Sequence, residues 1–515
     1  MHHRSRPFRS SFWLKFGLDL IVVAVADLLL FLHLPGTNLG VFALTVVAAV
    51  VIVRPGLARD RRALFALIAA VAFGLVLVDR PGLLALTLFG LFIAVAVLSA
   101  RVRPGETAWG WGQRLVIHWL FGLIGPLFDL LKLVGLKRRR RGRSLLALLG
   151  LLIMPVVGGA IFLALFSAAN PLISDLLDRI TLPPLSPEMV LRILFWMMIA
   201  TGVWGVLRPH WKRPFLALPA RRSNRPSPAL TTSITWSLIV FNAVFALQNG
   251  LDIAFLWSGA PLPGDMGLAD YAHRGAYPLI VTTLLAGLFV LVALQPGSDT
   301  ARRPGVRLLV IVWVAQNMLL VASSLLRTAD YVAAYSLTPL RIAAMIWMVL
   351  VGIGLLLICW RMLRDRSAHW LINANVAVTL AVLAGLSAVD LGAVAAAWNV
   401  RHAREVGGSG VELDLGYLHD LGDPALVSLV RLEQTTGNPD LRDRVAAVRS
   451  RIMANMQDRQ RDRHSWTWRN ARRLDRVADL SRDHPLTPPA PPVPAPVTVP
   501  VTVPASTPLT SPAGG

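Results

Sequence analysis

The chain has 515 residues, 55% of them hydrophobic and only 16% charged, and its mean hydropathy is +0.58. That is more apolar surface than a soluble fold can hide, so the solvent for most of the chain is lipid. The net charge of +22 sits largely in short loops between apolar runs, where it sets topology and meets membrane lipids, which argues against nucleic acid as a partner.

In chain order, a basic leader with Arg4, Arg6, Arg9 and Lys15 precedes the first apolar run, 14–34. That run is too long for a signal-peptide core and lacks a small-x-small cleavage site, so it reads as an uncleaved signal anchor. A helix needs roughly 20 apolar residues to cross about 30 Å of hydrocarbon. On that scale spans are predicted at 14–34, 39–53, 63–78, 82–100, 144–168, 189–207, 229–258, 277–295, 306–326, 340–360 and 370–398. The second and third are short; a re-entrant pair is the alternative, and it leaves the parity of everything downstream unchanged.

Segment 114–136 has the length of a span, but Arg114, His118, Gly125, Asp129 and Lys132 make a polar stripe, which predicts an interfacial amphipathic helix. A twelfth span there would send "KRRRRGR" at 137–143 across the membrane, against the positive-inside bias. With about eleven spans and a cytoplasmic N-terminus, the cytoplasmic segments hold most of the Lys and Arg. The external connections through residue 339 hold only Arg80, Arg179, Arg274 and Arg327. The single cysteine, Cys359, lies within a span and excludes both an intramolecular disulfide and a cysteine zinc site.

The last span delivers the C-terminus to the extracytoplasmic side. In "LGDPALVSLVRL" and "GNPDLRDRVAAVRSRIMANM" an Asp or Asn cap precedes a proline at the first helical position and an apolar periodic run comes next, which predicts a small antiparallel helical domain. The proline-rich stretch beyond it cannot build a core. It reads as a disordered tail or as a polyproline spacer with a reach of about 100 Å. The fold class is therefore all-α, a polytopic transmembrane helix bundle with a small C-terminal helical extramembrane domain and a disordered tail. Its predicted parts are 1–143 (four spans, interfacial helix and basic loop), 144–398 (seven spans), 399–483 (extracytoplasmic helical domain) and 484–515 (Pro-rich tail).

The segments "YVAAYSLTPLR", "ADYAHRGAYPLIVTTLL", "FSAANPLI" and "WTWRNARRLDR" together resemble a bacterial integral-membrane family known as domain of unknown function 4173, or its sibling 4153. The resemblance rests on a Tyr-x-x-x-Tyr-x-Leu-Thr-x-x-Arg element, carried by Tyr331, Tyr335, Thr338 and Arg341, and a Tyr-x-x-Arg-Gly element, carried by Tyr271, Arg274 and Gly275. It covers roughly residues 145 to 480. It implies a multi-pass protein of the bacterial inner membrane and no particular activity. Some relatives carry a sensor-kinase label, but this chain has no glycine-rich ATP lid.

Charge inside a span costs about 2.5 to 3.5 kcal/mol unless paired or hydrated. Asp27, Asp252 and Asp390 are predicted in the outer halves of their spans, Arg192 and Arg341 in outer first turns, and Arg274 and Arg327 just beyond outer span ends. With Tyr271, Tyr331 and Tyr335 they form a candidate outer-face polar cluster. One reading makes them interhelical ion pairs, snorkelling arginines and belt tyrosines. The other makes them an outward-facing cavity whose arginine forks hold a carboxylate, phosphate or lipid headgroup. Arg341 is expected to pair with Asp252 or Asp390.

No cofactor or metal is expected: His402, Glu405, Glu412, Asp414, His419, Asp420 and Asp423 lack fixed ligand spacing. There is no P-loop and no G-x-S-x-G. The expected function is thus a non-enzymatic envelope scaffold or sensor whose C-terminal domain contacts an envelope protein partner. A transporter or lipid flippase that uses the outer charges is the alternative.

Overall fold

The computed structural model describes residues 12–99, 105–138, 186–209, 228–258, 303–408 and 410–488, with a few single positions elsewhere. Helices account for nearly all of the ordered structure there, and no strand occurs among the described residues. Helices α1 (Phe12–Leu30), α2 (Thr37–Val53), α3 (Arg61–Asp79), α4 (Leu83–Ser99) and α6 (Pro187–Leu207) enclose one core built on Val22, Val46, Val50, Leu77, Leu88 and Leu207. Small residues let the backbones approach: a Cβ on Gly40 would collide with the backbone of Val78 and the carbonyl of Gly74. Helices α7 (Pro228–Asp252, continued by a wider turn to Trp257), α8 (Pro304–Tyr335) and α9 (Pro339–Leu363) share a second core around Leu238, Val310, Trp313 and Leu355.

Helix starts obey the local chemistry. Ser186 and Thr338 accept from the amides of Met189 and Arg341, each with proline at the first helical position, and Ser367 accepts from Trp370 to open α10 (Ala368–Ala388). Many side chains on these helices face outward although they are apolar: Leu28 is 70% exposed, Phe65 69% and Leu247 67%. In water such a surface aggregates; in lipid it is the solvated face.

Six helices are long and apolar enough to cross a membrane, and two shorter apolar ones, Thr37–Val53 and Leu83–Ser99, accompany them. The chain therefore has the helices of a multi-pass membrane protein. The spans expected at 144–168 and 277–295 lie outside the described residues, as do Tyr271 and Arg274.

One predicted span is corrected. The run 370–398 is not a single helix: α10 stops at Ala388, Val389 is extended, and Asp390 caps a new helix, α11 (Leu391–His402), by accepting from Ala393. Alanine and valine continue past the break, so hydropathy alone registers one run. Helix α11 packs with the C-terminal helices instead of continuing α10. Its Ala396 and Val400 join a third core made by α12 (Leu415–Leu421), α13 (Leu426–Thr435), α14 (Pro439–Arg461) and α15 (Trp468–Asp483), around Leu418, Leu426, Leu429, Leu441, Val445 and Met456. Inside it the buried pair Arg449–Glu433 (2.6 Å) also holds the segment after α15, because Glu433 accepts from the Thr487 amide and Arg449 donates to the Thr487 carbonyl.

These C-terminal helices sit over one end of the bundle, here the capped end. At the opposite end, arginines close helix C-termini. Arg54 donates to the carbonyls of Val97 (2.9 Å) and Leu207 (3.4 Å), and Arg307 donates to that of Met362 (3.3 Å), where positive charge meets the negative end of the helix dipole. Helix α5 (Ala108–Arg138) is tied to that end at two points. Its first amide, of Ala108, donates to Asn373 near the start of α10, and Asp129 pairs with Arg208 (3.3 Å) and Trp204 at the end of α6.

Candidate functional site

The capped end is held by one face of α15. Thr467 caps that helix by accepting from Asn470, and Arg469, Arg472 and Arg473 come next at the i, i+3, i+4 spacing that puts them on a single face. Arg469 donates to Asp79, the last residue of α3, from Nε (2.8 Å) and Nη2 (2.5 Å), and Arg472 donates to the other oxygen of the same carboxylate. Arg473 donates to Asp390 in the α10–α11 break. Arg469 also closes the C-terminus of α10 through the Ala388 carbonyl (2.8 Å).

A third loop completes the seam. The amide and hydroxyl of Thr37 both donate to the Trp466 carbonyl (2.7 Å each), and the His33 and His464 rings stack 3.8 Å apart. Gly36 lies so close to the backbone of His464 and Ser465 that no side chain fits there. On the other flank, Asn399 exchanges two hydrogen bonds with the backbone of Leu337 in the α8–α9 turn (2.7 and 3.0 Å).

Between these contacts lies a cavity of about 390 Å³ lined by Leu34, Pro35, Asp79, Arg80, Pro81, Asp423, Pro424, Arg459, Ser465, Thr467, Arg469, Asn470 and Arg473. Asp423 accepts from Arg459 and from Asn470 (2.7 Å). Burial lowers the pKa of the Arg473 guanidinium below its ordinary value, with Arg469 and Arg80 pushing the same way against Asp390 and Asp423.

The predicted cluster is only partly brought together. Arg192 forks onto Asp27 (2.8 and 2.5 Å), which also accepts from Trp196 (2.8 Å). Arg327 pairs with Asp252, both buried, and Gln248 adds a bond to the same carboxylate (3.0 Å). Tyr331 and Tyr335 lie 4.8 Å apart. The expected pairing of Arg341 is overturned. It donates to the carbonyls of Tyr335 (2.6 Å) and Ser336 and lies over the Tyr331 ring at 4.4 Å, touching neither Asp252 nor Asp390. Ser336 sits at φ +67 in the turn, which aims those carbonyls at the guanidinium. Asp390 lies in the break between α10 and α11, and its nearest cation is Arg473.

Deeper in the bundle, a polar track joins α7 and α8. Gln316 donates to Asn242 (2.8 Å), Asn249 donates to the Gln316 carbonyl (3.2 Å), and the oxygens Asn249 Oδ1, Gln316 Oε1, Asn317 Oδ1 and Asp252 Oδ2 have no hydrogen-bond donor. Around the expected acidic group, Asp414 caps α12 and Glu405 accepts from the Leu413 amide (2.9 and 3.1 Å). No cluster able to hold a metal occurs among the described residues.

Sequence reasoning missed Asp79, Arg469, Arg472 and Arg473. Their helical spacing was readable, but their partner lay at the far end of the chain. The family model described as domain of unknown function (DUF4153) matches residues 62–432. The chain belongs to that family, and of the two siblings it is this one. The match starts well before residue 145, taking in α3 and α4, and ends within α13, so "WTWRNARRLDR" falls beyond it. No curated protein and no solved structure matches the chain.

Proposed function

We propose that this DUF4153 protein is an inner-membrane sensor or scaffold whose C-terminal helical domain is docked on the extracytoplasmic face of a bundle of about eleven spans. The observation that carries the reading is the α15 seam: three arginines of one helix engage Asp79 and Asp390, two carboxylates at the ends of membrane helices. A tethered domain held by an arginine seam beside a small apolar contact of Ala395 with Val332 and Leu337 is a device that a ligand or partner can shift, since the ionic contacts are individually modest and jointly specific. The orientation is inferred from the basic loops at the opposite end, where Arg54, Arg208 and Arg307 lie.

The test is a His33→Cys/His464→Cys pair in a Cys359→Ser background. The two rings stack at 3.8 Å, so the two thiols are expected to lie within reach of a short bifunctional thiol reagent and to be bridged by it. Absence of that cross-link would remove the docked arrangement. The transporter reading has one observation in its favour, the donor-free oxygens of Asn249, Gln316, Asn317 and Asp252 along the α7–α8 track, which suit a hydrated path.

A further inference from the structure

We propose that the cavity under α15 binds a phosphate-bearing anion, either an anionic lipid headgroup or free phosphate. The proposal deepens the docked-domain reading and rests on it, since the cavity exists only while α15 lies on the α1–α2 and α3–α4 loops.

The charge does not close internally. Five guanidiniums, of Arg80, Arg459, Arg469, Arg472 and Arg473, meet three carboxylates, of Asp79, Asp390 and Asp423, which leaves an excess of two positive charges. A seam built only to dock would spend all its donors, yet three remain. The buried Nη1 of Arg469 has no hydrogen-bond partner and stands 3.9 Å from Asp390. Arg80, about half exposed, touches Asp390 only at 4.0 Å. Arg459 commits Nε to the Asn455 carbonyl and Nη2 to Asp423, leaving Nη1.

The arginines that carry these donors come from three elements, the α3–α4 loop, α14 and α15, and all three line one cavity. That suits an anion with oxygens in several directions better than a planar carboxylate, and arginine forks match phosphate geometry. The volume of about 390 Å³ lies within the range of roughly 300–1,000 Å³ usual for small-ligand pockets. Leu34, Pro35 and Pro81 line it from loops at membrane-helix ends, so its apolar side lies where a headgroup meets its acyl chains.

Full-length protein in an uncharged detergent is melted with inorganic phosphate replacing chloride at constant ionic strength, and separately with phosphatidylglycerol or phosphatidylcholine in the micelle. A saturable rise in Tm, expected to be a few degrees at large excess, with phosphate, phosphatidylglycerol or both supports the site. Response to phosphate identifies a free anion, and response to phosphatidylglycerol alone identifies a headgroup. No rise above the chloride and phosphatidylcholine controls overturns it. In Arg80→Gln/Arg459→Gln the apparent affinity should fall at least tenfold, and an undiminished response overturns this location. Docking is scored independently by the His33→Cys/His464→Cys bridge. A bridged protein that ignores phosphate and phosphatidylglycerol overturns the anion site alone, whereas failure to bridge overturns the docking on which it rests.

Discussion

Arg469 grips Asp79 across 390 residues of sequence, two of its nitrogens lying 2.8 and 2.5 Å from one carboxylate oxygen. The last of the described helices thereby closes on α3, and the contact forms only after nearly the whole chain exists. Both side chains are mostly shielded, 14% and 21% exposed, so the pair is screened less than a surface bridge. It lies at the junction where the bundle meets the C-terminal helices, which makes it the natural place to perturb their association.

Asp79→Asn and Arg469→Gln should therefore be strongly coupled. Each alone is expected to loosen the C-terminal helices, and the double-mutant cycle should return an interaction energy on the order of 1 to 3 kcal/mol. Thermal or chemical denaturation monitored within the C-terminal helices measures it. Additive effects would mean that the Ala388 carbonyl, not Asp79, holds Arg469.

Gly36→Ala should open the seam without touching the bundle. A methyl at Gly36 enters the backbone of His464 and Ser465, whereas one at Gly82 meets nothing within 4 Å. Proteolysis in the Arg461–Ser465 turn is expected to accelerate about tenfold or more in the Gly36 variant, for a docking loss of at least about 1.4 kcal/mol, and to stay unchanged in Gly82→Ala. Equal rates would contradict the close approach.

Arg327→Gln leaves a buried Asp252 without its cation, and breaking such a pair costs about 3 to 5 kcal/mol. Asp252→Asn in the same chain should restore much of the lost thermal stability. Arg341→Gln, by contrast, should show no coupling to Asp252→Asn or Asp390→Asn, because its partners are carbonyls and the Tyr331 ring. Coupling of Arg341 to either aspartate would restore the pairing expected from sequence.

Much of this architecture is readable from local chemistry. Ser186-Pro187, Thr338-Pro339 and Asn438-Pro439 announce helix starts, and hydropathy finds the six long membrane helices. Depth reasoning puts Asp27, Arg192, Asp252, Arg327 and Arg341 in one band without pairing Asp27 to Arg192, and it sets Arg341 rather than Arg327 against Asp252 because depth says nothing about which face of a helix a residue occupies. The break at Asp390 was hidden by the apolar run on both sides, although an Asp with a free amide three residues on is an N-cap signal. The seam was the least legible part. A triad at i, i+3 and i+4 declares a charged face, yet only the tertiary fold brings Asp79 to it.

Placement of the C-terminal helices on the extracytoplasmic side is tested most directly by impermeant thiol labelling of intact cells. Ser428 is buried and unsuitable, whereas Asp458 is 70% exposed on α14 and Asp365 is 69% exposed in the α9–α10 turn at the opposite end. In a Cys359→Ser background, and with reagent entry to the periplasm verified, Asp458→Cys should label in intact cells and Asp365→Cys only after lysis. Labelling of Asp365→Cys in intact cells, with Asp458→Cys protected until lysis, would invert the topology and contradict this placement.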